Sequence, residues 1–141
     1  MSRIYWDTML FVYWLESHPR YSKPVRRLLD AMSERGDQLC TSSFAVGEIL
    51  VGFYKTGEVE TARKVREVFQ LPFVEVIPYT LETAEIYAAI RAEQRVSAPD
   101  AIHLACAAQA RTDLFLTNDK HLIGKVVPGI QFIAGLDSKI L

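Results

Sequence analysis

Residues 3–16 read RIYWDTMLFVYWLE. A short β-prone run, RIYWD (3–7), ends in an acid, and an apolar helical start follows at once until His18-Pro19 breaks it. Working outward, the same strand-then-helix order recurs. QLCTS (38–42) reads as a second strand, after which Ser43 is a candidate cap for the helix FAVGEILVGFYKT, closed by Gly57. VEVIP (74–78) is a third strand, and Thr80 caps a long helix, LETAEIYAAIRAEQR. LFLT, after Asp113, and GIQFIA (129–134) complete the strands.

Three further helices fill the gaps. One starts near Pro24, with Ser22 or Lys23 at its cap, Val25, Leu28, Leu29 and Met32 at helical spacing, and Gly36 as its stop. Another runs through EVETARKVREVFQ until Pro72, and DAIHLACAAQA follows the break at Ser97–Pro99. Strands alternate with helices and hairpin signals are absent. The expectation is a three-layer α/β/α fold around a central, mainly parallel sheet, in one domain over residues 1–141.

Composition bounds the possibilities without choosing among them. The chain has 141 residues, half of them hydrophobic and 23% charged, which fits one globular domain and argues against disorder. No apolar run approaches the roughly 20 residues that span a bilayer. The N-terminus reads as the first strand and not as a signal peptide, which makes the cytoplasm the expected location. Cys40 and Cys106 lie far apart inside apolar segments and read as buried, reduced thiols. The net charge of −1 neither supports nor excludes a nucleic-acid substrate.

The acids are more informative. Ligands of an open parallel sheet bind outside the carboxyl ends of its strands. Asp7 sits at such an end, and Asp119 follows LFLTN, so two strands deliver acids to one rim. Asp100 opens an apolar helix after Pro99, and Glu48 lies inside FAVGEILVGF, an apolar and glycine-rich stretch. An ionised carboxylate buried there costs several kcal/mol unless it is paired or coordinated. No basic residue lies one turn away, and the flanking Gly47 and Gly52 suggest close approach of another group. Each acid also has a plain structural use: Asp100 as a helix cap, Asp119 as cap of the turn at Lys120, Asp7 as a turn former, Glu48 as a solvent-facing edge residue. Gathered together, the four would repel unless cations relieve them, and oxygen-only ligands favour Mg²⁺ or Mn²⁺ over Zn²⁺.

These residues resemble the motifs of the PIN-domain family. Asp7-Thr8 at a strand end looks like its opening motif, and Glu48 in an apolar helix like its second. The stretch PDAIHLACA (99–107) is similar to the third, and LTNDKHL (116–122) to the fourth. The match spans essentially the whole chain in order. Met9 and His121 depart from it, standing where relatives carry a small polar residue and, in some, an additional acid. The resemblance implies a metal-dependent endoribonuclease, most like a VapC-type toxin, with Asp7, Glu48, Asp100 and Asp119 as catalytic and metal-ligating residues. It also implies an RNA substrate cut to 5′-phosphate and 3′-hydroxyl ends, a protein antitoxin and a homodimer.

Around this core, Thr8 and Asn118 are candidates to orient the carboxylates. His103, one helical turn from Asp100, is either a donor to the site, a substrate contact or a satisfied core histidine. His121 is either a substrate contact or a solvated loop residue. Arg20, Lys23, Arg26 and Arg27 form either a phosphate-binding cluster or one solvated face. Phe11, Tyr13 and Trp14 serve either the core or a dimer or antitoxin surface. The competing readings are a non-catalytic PIN-like interaction module and a non-toxin PIN nuclease of RNA processing. A haloacid-dehalogenase-like phosphatase lacks its DxD, since residue 9 is Met, and a receiver domain lacks its adjacent acidic pair.

Overall fold

In the computed structural model, which describes residues 1–137, five strands pair in parallel throughout, in the order β3-β2-β1-β4-β5. The strands are β1 (Arg3–Trp6), β2 (Gln38–Ser42), β3 (Val74–Ile77), β4 (Leu114–Thr117) and β5 (Phe132–Gly135). The helices are α1 (Thr8–Leu15), α2 (Ser22–Arg35), α3 (Ser43–Lys55), α4 (Val59–Val68), α5 (Leu81–Glu93) and α6 (Ala98–Gln109).

The period-two alternation of the strands divides the core into two halves. Ile4, Trp6, Leu39, Leu114 and Leu116 face one side, against Leu10 and Phe11 of α1, Val25 of α2, Ile49 of α3 and Val65 of α4. Tyr5, Cys40, Phe115 and Ile133 face the other, against Ile90 of α5 and Leu104 of α6. Both faces are therefore covered, giving the α/β/α sandwich expected. Ile4, Tyr5 and Trp6 are wholly buried, and each side chain of that size contributes about 2–3 kcal/mol relative to exposure. The aromatic run of α1 belongs to this core: Phe11 and Tyr13 are buried, and Trp14 packs edge-on against Trp6 at 6.4 Å between centroids. Burial pushes the Cys40 thiol up to about 12 and that of Cys106 up to about 11, leaving two inert free cysteines.

Most element ends lie within a few residues of where the sequence suggests, and α6 starts at Ala98, ahead of Asp100. Helix α2 begins at Ser22, before Pro24, and neither Ser22 nor Lys23 is its cap. The His18 ring instead braces the turn ahead of the helix, its Nδ1 accepting from the backbone N–H of Arg20 at 3.1 Å and of Tyr21 at 3.2 Å, and no side chain caps α2. Helix α3 is capped by Ser42, not Ser43, through Ser42 Oγ accepting from Ala45 N at 3.0 Å. The last strand starts at Phe132, not Gly129, because residues 127–130 close a turn, with Ile130 N donating to Val127 O at 3.1 Å. Thr80 caps α5 as expected and forms a capping box with Thr83. Among the described residues no helix is long and apolar enough to cross a membrane.

The turn before β5 sets the chain's tightest backbone demand. Gly129 has φ +97°, and an added Cβ would lie 2.7 Å from the Ala108 carbonyl oxygen. Gly129→Ala is expected to lower the unfolding free energy by about 2 kcal/mol or more in urea titration, combining left-handed strain with a backbone clash. Unchanged stability would mean that the turn is not held as described.

Candidate active site

The order of strands fixes where a site can form. From β1 the chain steps to β2 and β3 on one side, then returns to lay β4 on the other. Next to β1, β4 pairs in register Tyr5 to Phe115 and Trp6 to Leu116. After β1 the chain turns to the face that holds Leu10 and Phe11. After β4 it turns to the opposite face, where Leu122 and Val127 are buried. Diverging chains open a crevice at the carboxyl ends of β1 and β4, the switch point of a doubly wound sheet.

Asp7 and Thr117 are the residues at that crevice. Backbone pairing continues past Trp6, with Asp7 N donating to Leu116 O at 3.1 Å. Asp7 is also the N-cap of α1, Oδ1 accepting from Met9 N at 2.9 Å, while Oδ2 accepts from Thr117 Oγ1 at 2.5 Å. Thr117 Oγ1 accepts in turn from Asp119 N at 3.0 Å, and Asp119 Oδ1 accepts from His121 N at 2.9 Å. The plain and the chemical uses of these acids are thus compatible, since each caps local backbone with one oxygen. Asp100 is not a cap: Ser97 caps α6, and Asp100 is the acid in its first turn, beside the positive end of the helix.

Glu48 departs from what its apolar neighbours suggest. Its side chain is 32% exposed and stands on the wall of a cleft. Gly47 and Gly52 face open space, a Cβ at either meeting nothing within 4 Å, so no part of this chain approaches them. Its partners come from far along the sequence. Thr8 Oγ1 donates to Glu48 Oε1 at 2.6 Å, and His103 Nε2 lies 2.7 Å from the same oxygen. Asn118 does not reach a carboxylate; its amide donates to the Tyr13 hydroxyl at 3.0 Å. His121 is exposed.

All four acids line one cleft of about 300 Å³, together with Thr8, His103 and Asn118. A larger cleft of about 480 Å³, beside α2, has two carboxylates, of which Asp37 is paired with Arg35 at 2.9 Å. Among the described residues Asp7, Asp100 and Asp119 have no Lys or Arg within ion-pair distance. The electrostatics follow from this. Burial pushes the Asp7 carboxyl above its ordinary 3.8, and the charge of Asp100 adds to the rise, against hydrogen bonds from Thr117 and Met9. Burial acts the same way on Glu48 but is outweighed by the hydrogen bonds from His103 and Thr8, which leave its carboxyl below 4.5.

The acid oxygens come from four elements and have no Lys or Arg partner among the described residues, a donor chemistry that fits a hard divalent cation. Among the described residues no three acid, histidine or cysteine side chains stand close enough together to hold an ion as they are. The acids stand instead on the walls of an open cleft, an arrangement suited to an ion that keeps some of its waters. Thr117 was not singled out from sequence, and Tyr13 only within the aromatic run of α1. A threonine between a strand end and an acid was the available signal for Thr117; nothing marked the Tyr13 hydroxyl as a partner of Asn118.

Comparison with known proteins bears on the fold. A model of the PIN domain matches residues 4–126. No curated protein matches the chain. A VapBC2 structure from Rickettsia felis, bound to a DNA fragment from its promoter, is similar at TM-score 0.75 and 18% identity, covering 94% of this chain and 98% of that one. A toxin–antitoxin complex from Klebsiella pneumoniae is similar at 0.68 and 22%, covering 90% and 94%. VapC20 of Mycobacterium tuberculosis, a Sarcin-Ricin loop cleaving toxin, is similar at 0.66 and 16%, covering 79% and 86%. With its doubly wound parallel sheet and a family match over most of its length, the chain belongs to the PIN domain family.

Proposed function

We propose that the chain is a metal-dependent endoribonuclease and the toxin of a toxin–antitoxin pair. The observation that carries the reading is the cleft itself, lined by Asp7, Glu48, Asp100 and Asp119, none of which pairs with a Lys or Arg among the described residues. Such charges are costly to a fold that makes no use of them, which disfavours a non-catalytic module. The similar structures that are toxin–antitoxin complexes support a protein antitoxin, and the RNA-cleaving VapC20 supports an RNA substrate. Cytoplasmic action and a homodimer belong to the same reading, on the family resemblance alone.

In this mechanism the four acids hold one or two Mg²⁺ or Mn²⁺ ions. Bound there, such an ion supplies Lewis acidity toward the phosphodiester and the attacking water. The chain's own residues do the positioning. Thr117 holds Oδ2 of Asp7 while α1 holds Oδ1, so the carboxylate cannot rotate away. Thr8 and His103 both bond Oε1 of Glu48 and leave Oε2 without a protein donor among the described residues. The half-buried setting of Asp7 keeps water from screening these charges.

Cleavage of a structured RNA pool should require Mg²⁺ or Mn²⁺, stop with EDTA, and yield 5′-phosphate ends on sequencing. Asp7→Asn, Glu48→Gln and Asp119→Asn should each lower kcat by more than the about 10- to 100-fold typical of an outer partner. Metal-independent cleavage, or full activity in Asp7→Asn, contradicts the reading.

Asp7→Asn should also stabilise the metal-free protein. A carboxyl held above its ordinary pKa costs stability when ionised, so the cost is present at neutral pH and absent below about the unfolded value of 3.8. Asn keeps the helix cap. A gain on the order of 1 kcal/mol at pH 7 that disappears near pH 4 is expected from thermal unfolding in EDTA. Equal stability at both pH values would remove Asp7 as a strained charge.

A further inference from the structure

The ring of His103 is buried, 5% exposed, yet both of its nitrogens are engaged. Nε2 faces Glu48, and Nδ1 lies 2.8 Å from the hydroxyl of Tyr5, a residue with no exposed surface in the central strand. That hydroxyl is also 2.8 Å from Ser42 Oγ, the cap of α3, the helix that carries Glu48. The ring is fixed sideways by two aromatic edges, Tyr5 at 5.9 Å and Phe44 at 5.4 Å between centroids. A buried tyrosine normally needs one partner for its hydroxyl. Here the hydroxyl joins the end of the helix bearing Glu48 to the imidazole that bonds the Glu48 carboxylate.

We infer that Tyr5 and His103 form a positioning relay for Glu48, running from the centre of the sheet to the cleft, a conclusion that rests on the metal-dependent reading above. Neither residue contacts substrate. Glu48 is an ionised carboxylate and accepts only, so Nε2 carries the proton it shares with Oε1. The Tyr5 hydroxyl donates its one proton to Ser42 Oγ, so its oxygen is what faces Nδ1. The two contacts, one at each ring nitrogen, fix the rotation of the imidazole and hence which atom faces Glu48. With Oε1 tied twice, by Thr8 and by His103, the carboxylate plane is set and Oε2 is presented in one direction. Tyr5 thereby reaches the cleft through two hydrogen bonds, though its own side chain lies on the far side of His103.

Tyr5→Phe tests this with little change of packing, because the ring stacks on Phe115 at 5.0 Å and 6° with or without its hydroxyl. The full-length variant should bind Mn²⁺ about 10-fold more weakly by electron paramagnetic resonance titration and cleave with kcat reduced to a similar degree at unchanged KM. In a His103→Leu background, Tyr5→Phe should cause no further loss in Mn²⁺ affinity, which independent structural effects would not produce. A second comparison does not depend on Tyr5→Phe folding. His103→Gln, which can restore a donor near Nε2, should retain most Mn²⁺ affinity, whereas His103→Asn, which mimics only Nδ1, should behave like Leu. Wild-type Mn²⁺ affinity in Tyr5→Phe, additive losses in the double variant, or Gln no better than Asn would each overturn the relay. Absence of Mn²⁺ binding in the wild type would instead overturn the metal-dependent reading, and the relay with it.

Discussion

Two parallel strands that end side by side are the constraint on which the rest of this molecule depends. Register between β1 and β4 puts Asp7 next to Thr117, and the hydrogen bond between them ties the end of one strand to the end of the other. Had the pairing slipped by one residue, Tyr5 and Phe115 would exchange faces with their neighbours and both halves of the core would be lost. The acid therefore inherits its position from the packing of the largest buried residues in the chain. Its raised pKa follows from its burial at that strand end.

Around that fixed point the other acids are attached by different means. Asp119 hangs on Thr117 through its backbone and on its own turn through one oxygen. Asp100 rides the first turn of α6, where Ser97 has taken the capping work and left the carboxylate free. Glu48 has the least local support, standing on an open stretch of α3 between two exposed glycines. Thr8 and His103 supply what its own helix lacks. Donors from α1 and α6 both bond its Oε1 and leave Oε2 without a protein donor among the described residues.

Much of this was legible from residues alone. Short β-prone runs between helical stretches marked the strands, Thr80 and Gly36 marked a start and a stop, and acids at strand ends located the rim. What could not be read was anything set by tertiary contact. Ser42 and Ser43 are chemically equal as caps, and only the last pairing of β2 with β3 chooses between them. The His18 ring braces the turn ahead of α2, a helix that no side chain caps. Gly47 and Gly52 invited a reading of close approach that no neighbour within the chain fulfils. Tyr5 looked like one more core aromatic, since a hydroxyl's partner is invisible until the strands are paired.

The distances along the chain that the cleft spans also bear on its biosynthesis. Thr8 and Glu48 are 40 residues apart, Glu48 and His103 are 55, and Asp7 and Thr117 are 110. The central strand leaves the ribosome long before β4, one of its two neighbours. Contacts this remote in sequence form late, after the closure entropy of long loops has been overcome. Until β4 and Asp119 have emerged, the nascent chain holds its first acids in an unfinished sheet, and the cleft does not exist. Whatever chemistry the cleft performs is therefore withheld until synthesis has passed Asp119.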